Sequence, residues 1–183
     1  MNKKIAIIYD HDRCYTKTIS SYIEKGINSQ NIQSVSYTID FILNKKSLLD
    51  KVNGIIFGAP THFGNVSTNM KKFMDSTTSI WRDKKWKNKI AAAFTHSGAL
   101  NGDKMSCLMS MFIFAQQHGM IWTGIDVNSN EKIYKYNVEL NRLGSWIGLM
   151  VESIKKDAVV NVSDIKTAEY FGERVAKVSK SFA

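Results

Sequence analysis

Side chains able to do chemistry are few in this chain, and they gather in short stretches. His11-Asp12-Arg13-Cys14-Tyr15-Thr16 sets an imidazole, a carboxylate, a guanidinium, a thiol and two hydroxyls side by side. Pro60-Thr61-His62-Phe63-Gly64-Asn65 holds the single proline of the chain next to a glycine, and Ser97-Gly98-Ala99-Leu100-Asn101-Gly102 mixes hydroxyl, amide and glycine. Rigid and permissive backbone side by side points to shaped loops rather than slack connectors. The competing reading is three tight turns and nothing more. Cys14 has the character of a nucleophile at a helix start, where thiol pKa values fall, or of a small residue filling a turn. Cys107 lies in an apolar run and reads as core. Two cysteines give neither a disulfide framework nor metal-ligand spacing. His118 precedes Gly119 at the end of an apolar run, where the helix dipole alone favours a histidine. His62 reads as a solvated loop histidine within reach of a substrate. No nucleophile–histidine–carboxylate set stands out.

The elements that must position these stretches alternate along the chain. Ile5 to Tyr9 is an isoleucine-dominated run suited to a strand buried on both faces. Thr16 to Ile27 carries Ile19, Tyr22 and Ile23 at helical spacing. Ser34 to Ile39 is a weaker strand, and Phe41 to Leu49 is of uncertain type. Gly54 to Ala59 is a second strong strand. Asn65 to Thr77 is the clearest helix, with Asn65 or Ser67 as its cap. Trp81 to Asn88 reads as a polar, tryptophan-bearing connection. Lys89 to Thr95 is a strand of small residues, Asp103 to Gln117 an apolar helix, and Met120 to Ile125 another strand. Asn130 to Val151, with Gly144 and Gly148, reads as loop with short extended pieces. Ser163 to Ser181 is the last helix, with Ser163 as its cap. The alternation predicts an α/β fold: a doubly wound, five-stranded parallel sheet with helices on both faces and a long insertion before the last helix. The whole of 1–183 reads as a single domain.

In such a sheet, ligands bind beyond the carboxyl ends of the strands. The stretches Asp10 to Thr16, Pro60 to Asn65 and Ser97 to Gly102 all follow strong strands, so the topology brings them to one rim.

Composition narrows the classes. The chain has 183 residues, 44% hydrophobic and 22% charged, the balance of a folded globular protein. No apolar run approaches the roughly 18–20 residues that span a bilayer. The N-terminus reads as a first strand rather than a signal peptide, and a reduced, cytoplasmic setting is expected. The net charge of +9 is spread over scattered lysines with no nucleic-acid signature, so it reads as solvated surface charge.

The stretch Gly58-Ala59-Pro60-Thr61-His62-Phe63-Gly64-Asn65-Val66-Ser67, followed by Phe73-Met74-Asp75, resembles the flavodoxin-like NAD(P)H:quinone oxidoreductases of the WrbA type and the related NADPH-dependent FMN reductases. The resemblance continues through Trp81, Ile90 to Thr95, Ser97-Gly98 with Gly102, Gln117-His118-Gly119-Met120, Asn141 to Trp146, and Phe171-Gly172 with Arg174-Val175-Ala176. It implies FMN at the carboxyl rim. Pro60 to Asn65 would wrap the flavin ring with backbone N–H groups, and Ser97, Gly98, Ala99 and Gly102 would border its other side. His118 matches a family histidine that sits near the flavin, in some members in a neighbouring subunit. The chain departs from the family at the phosphate loop, where His11 stands for serine and Cys14 for glycine, while Thr16 is kept. His11, Arg13, Cys14, Tyr15 and Thr16 would then hold the phosphate through backbone amides, Thr16 and the Arg13 fork.

The activity implied is transfer of a hydride from NADH or NADPH to the flavin, then two-electron reduction of a quinone or similar small acceptor. A homodimer or homotetramer is implied, with some of Trp81, Trp86, Trp122 and Trp146 covering the flavin of a neighbour. Two alternatives stay open. One is a flavodoxin-type electron carrier, although such carriers are usually acidic. The other is a flavin-free relative acting through a protein partner.

Overall fold

Isoleucine-rich runs make the centre of the sheet. The computed structural model describes residues 3–10, 15–153 and 160–182. Strand β1 (Lys4–Tyr9) runs parallel to β2 (Gln33–Thr38) on one side and to β3 (Gly54–His62) on the other. Strand β3 in turn pairs in parallel with β5 (Ile90–Ser97), and carries the short antiparallel β4 (Asn65–Val66) at its far end. The order across the sheet is β2-β1-β3-β5, then a fifth position.

That fifth position is filled by two pieces. Strand β6 (Ile121–Trp122) pairs with Ile90 and Ala91, and β9 (Leu149–Glu152) pairs with Phe94 to Ser97. The strand expected over Met120 to Ile125 is thus cut short. The insertion lies inside the strand rather than after it. Between the two pieces come an antiparallel hairpin, β7 (Glu131–Ile133) with β8 (Val138–Leu140), and a return loop. Sequence periodicity misses the split because two- and four-residue strands are too short to show a period.

Every second residue of the central strands faces one of two helical layers. Ile5, Ile7, Tyr9, Ile56, Ala92 and Phe94 pack under α1 (Tyr15–Asn28) and α6 (Val162–Ser181). Ala6, Ile8, Ile55, Phe57, Ala91 and Ala93 pack under α2 (Ile39–Leu43), α3 (Thr68–Asp75), α4 (Thr78–Arg82) and α5 (Lys104–Gln117). The doubly wound architecture stands as expected.

Helices α1 and α6 cross at glycine. A methyl group on Gly26 would stand 1.9 Å from the Glu169 carbonyl oxygen, and one on Gly172 would stand 2.1 Å from that of Ile23. Each glycine is the socket for the other helix's backbone.

Three local expectations change. The connection Trp81 to Asn88 holds the end of α4, and Trp86 is fully buried, near-parallel to Phe73 at 6.3 Å with its Nε1 donating to Asp50. Helix α6 is capped by Asn161, whose side chain accepts from the Ser163 N–H, while the Ser163 hydroxyl donates to the Glu139 carbonyl. Asn65 belongs to β4, and Ser67 caps α3 by accepting from Met70 N–H at 3.3 Å.

Candidate functional site at the carboxyl rim

The motif around Pro60 folds as a hairpin. Strand β3 turns through Phe63 and Gly64 and comes back as β4, with His62 paired to Asn65 and Thr61 to Val66. Both turn residues have positive φ, +48° and +73°, the pattern of a two-residue type I′ turn. Glycine accepts that conformation freely and phenylalanine does not. The turn therefore holds Phe63 fully exposed at its tip. Gly64 lies against Asp103, just before α5, so the hairpin leans over the turn that follows β5.

Pro60 and Thr61 are buried below this tip. The Thr61 and Thr95 hydroxyls meet at 2.7 Å, and Thr95 donates onward to Cys107 Sγ at 3.4 Å. Burial pushes the Cys107 thiol up, which keeps it protonated and inert and fits its core assignment.

The first turn of α1 reaches the same rim. Thr16 is buried, and its Oγ1 lies 3.0 Å from His96 Nε2. Tyr15 packs obliquely on the same ring, with centroids 5.7 Å apart. Burial first, then the Lys104 and His62 charges, lower the His96 pKa to about 4, so the ring is neutral at physiological pH. Among the described residues no acidic side chain stands in the first turn of α1, the positive end of its dipole. The Asp10 carboxylate is buried but accepts from Asn69 Nδ2 at 3.1 Å, which turns it toward α3 and away from α1. His11, Arg13 and Cys14 lie outside the described residues.

The turn after β5 carries Gly98, Ala99 and Gly102 at the surface, with Gly102 at φ +51°. Asn101 ties it to the insertion, donating to the Leu143 carbonyl at 2.8 Å. Beneath it, Arg142 pairs with Glu152 at 2.6 Å and Asp164 at 2.8 Å. Two polar atoms near this rim, Ser97 Oγ and His96 Nδ1, are buried without a hydrogen-bond partner among the described residues. A buried hydroxyl and a ring nitrogen left unpaired are costly in a finished core and suit the edge of a polar ligand.

The structure therefore brings together Tyr15, Thr16, Pro60, Thr61, His62, Phe63, Gly64, Asn65, Ser97, Gly98, Ala99 and Gly102. It does not bring in His118. That residue ends α5 at the opposite edge of the sheet, a helix length of about 20 Å from the rim. His118 is buried against Trp86 and Phe114, at ring-centroid distances of 4.7 and 4.6 Å. Thr77 donates its hydroxyl proton to Met74 O, so it accepts from His118 Nε2 at 3.0 Å, which fixes the tautomer. Burial lowers this pKa also to about 4. Within one chain, His118 is a buried histidine at the amino edge, away from the rim.

Two residues of the rim were missed, His96 and Lys104. His96 sits one place before the stretch that glycine and serine made conspicuous. Lys104 had a signal, a cation in the first turn of a helix where the dipole disfavours it.

The family of NADPH-dependent FMN reductases matches residues 18–132, a span that holds the hairpin, the turn after β5 and His118. The chain belongs to that family. It is accordingly an oxidoreductase of the flavodoxin-like, FMN-dependent class. Over 97% of both chains this family member is 35% identical to the protein named Flavodoxin FldP of Pseudomonas aeruginosa. It is 33% identical to an NAD(P)H dehydrogenase (quinone) of Archaeoglobus fulgidus over 72% of this chain and 62% of that one, so the match spans less than two thirds of the dehydrogenase. A solved structure, a WrbA-like flavodoxin from Agrobacterium tumefaciens, superposes with a TM-score of 0.76 at 28% identity, covering 99% of each chain. The parallel sheet and its helices agree with that neighbour.

Proposed function

We propose that the carboxyl rim holds FMN and that the chain catalyses NAD(P)H + H⁺ + quinone → NAD(P)⁺ + hydroquinone, with a quinone or similar small molecule as acceptor. The observation that carries the proposal is the convergence on one rim of the Phe63–Gly64 hairpin turn, the turn after β5, and Thr16 bonded to His96. Bound FMN supplies the two-electron exchange between nicotinamide and acceptor.

The residues of the chain bind and orient. Thr16 and the opening N–H groups of α1 would hold the phosphate, with Arg13, His11, Cys14 and Tyr15 as the further residues the resemblance assigns to it. Pro60 to Asn65 would border one side of the flavin ring, with exposed Phe63 as an apolar wall, and Ser97, Gly98, Ala99 and Gly102 the other, where the unpaired Ser97 hydroxyl could gain a partner. Neutral His96 keeps a second positive charge away from Lys104 while it steadies Thr16.

Association into a homodimer or homotetramer belongs to this proposal. It is supported by the exposed apolar side chains Trp81, Met105 and Ile113 on α4 and α5. A role for His118 near a flavin then requires a neighbouring copy. A cytoplasmic setting is supported by Cys107, a free buried thiol. Among the described residues no helix is long and apolar enough to cross a membrane.

A carrier reading has one observation in its favour: the relative that matches over 97% of both chains is named a flavodoxin. The net charge of +9 speaks for the enzyme. Stopped-flow absorbance of the FMN-loaded protein mixed with NADPH separates the two. Rapid bleaching with no other protein present is expected. Bleaching only after a reductase is added would make the chain a carrier, and no flavin bands after incubation with FMN would overturn both.

A further inference from the structure

Lys104 opens α5 with its side chain fully buried. Its ammonium donates to the carbonyl oxygens of Ala99 at 2.5 Å and Leu100 at 3.2 Å. The place is unfavourable twice over. Burial penalises the charge, and the helix start is the positive end of the dipole. Burial lowers the pKa of Lys104, against the opposing pull of Asp103, Glu152 and Asp164. The last two, bridged by Arg142, make the surroundings close to neutral. An apolar residue would cost less there, so the ammonium must do what an apolar side chain cannot.

What it does is draw two successive carbonyls inward. Across a trans peptide, C=O and N–H point in opposite directions. With the carbonyls of Ala99 and Leu100 held by Lys104, the N–H groups of Leu100 and Asn101 face away from it. Among the described residues neither N–H has an acceptor. On the far side Asn101 is fixed by its bond to Leu143 O. The result is a stiff turn with two parallel donors turned outward at the rim.

We propose that Lys104 is a positioning residue: it shapes the turn after β5 so that the Leu100 and Asn101 N–H groups are presented to the electron-rich edge of the flavin, an assignment that rests on the FMN reading above. Donors so placed favour a ring that gains negative charge on reduction. The charge of Lys104 reaches the flavin through the backbone it holds, not by contact.

The test uses Lys104→Met, which keeps most of the stem and loses the charge, and Lys104→Arg, which keeps both charge and donors. Amide resonances of residues 99–101 are followed without ligand and during titration with FMN, whose binding is also read by fluorescence quenching. The Met variant is expected to shift the Leu100 and Asn101 resonances before any ligand is added. It is expected to bind FMN at least tenfold more weakly, and the Arg variant to recover most of that loss. In the wild type, FMN is expected to move both amides. A Met variant with unchanged turn resonances, or with FMN affinity within twofold of a wild type that binds, overturns the proposal. A wild type that does not bind FMN overturns the FMN reading and the flavin part of this one, while the ligand-free resonances still decide whether Lys104 shapes the turn. Should the Met variant not fold, as read by circular dichroism, Lys104→Gln is judged by the same resonances and affinities.

Discussion

Thr16 Oγ1 and His96 Nε2 stand 3.0 Å apart, both buried, and tie the first turn of α1 to the end of β5. Helix α1 follows β1, and β1 and β5 flank β3 on either side, so this bond reaches across the central strand. Thr16→Ala removes that fastening and one phosphate ligand together. FMN affinity is expected to fall about tenfold, or roughly 1.4 kcal/mol, with Thr16→Ser close to wild type. Fluorescence titration of the two variants checks this; an Ala variant that binds within twofold of wild type removes Thr16 from the site.

Both buried imidazoles make stability depend on pH. His96 and His118 are held neutral, with pKa values near 4, while in the unfolded chain each titrates near 6.5. Between those values the unfolded state binds protons that the folded state refuses. Their contribution is therefore complete above about pH 6.5 and is lost as pH falls toward 4, by at most about 3 kcal/mol per ring. Urea midpoints measured from about pH 7 to pH 4.5 should fall steadily. His118→Gln should flatten that slope by about half and leave FMN affinity within twofold, because His118 is far from the rim. An unchanged slope would mean that the ring is not protected in the folded state.

Phe63 holds a left-handed conformation that costs a non-glycine residue about 1 kcal/mol. Its side chain is fully exposed among the described residues, so burial there gives nothing in return. Phe63→Gly is expected to keep or raise the melting temperature and to weaken FMN binding severalfold. A variant that loses stability and keeps its affinity would show that Phe63 serves the hairpin rather than the ligand.

Gly172→Ala tests the crossing of α1 and α6. The added methyl meets the Ile23 carbonyl at 2.1 Å, and neither backbone can yield without moving a whole helix. A loss of about 3 kcal/mol is expected, lowering Tm by about 5–10 °C with little change in flavin affinity per folded molecule. Calorimetry would show a Tm within a degree or two of wild type if the crossing is looser than this geometry.

Much of this was legible before the fold was known. Ile5 to Tyr9 and Gly54 to Ala59 are long enough, and apolar enough, to announce central strands. In the Pro60 to Ser67 stretch the shaped loop and the Ser67 cap were legible, but the Phe63–Gly64 hairpin and the short strand Asn65–Val66 were not. The split strand was illegible because its pieces, Ile121–Trp122 and Leu149–Glu152, are joined only through β5. Trp86 was misread because lysines surround it in sequence, whereas its burial comes from Phe73 and Phe114, which are distant in the chain.

The divided outer strand has an evolutionary consequence. Since the chain departs from β5 after Trp122 and returns to the same neighbour at Leu149, everything between is an excursion that never threads the sheet. Its two ends are clipped together by the Ile125 N–H on the Trp146 carbonyl at 2.9 Å, while Ile125, Val127, Tyr136 and Leu140 pack into the core under α6, so length can change only at its exposed stretches without re-registering a strand. Yet Leu143 and Arg142, near its return, grip the turn after β5 and the base of α6. Variation near that return would reshape the turn after β5 while β1, β3 and β5 keep their register.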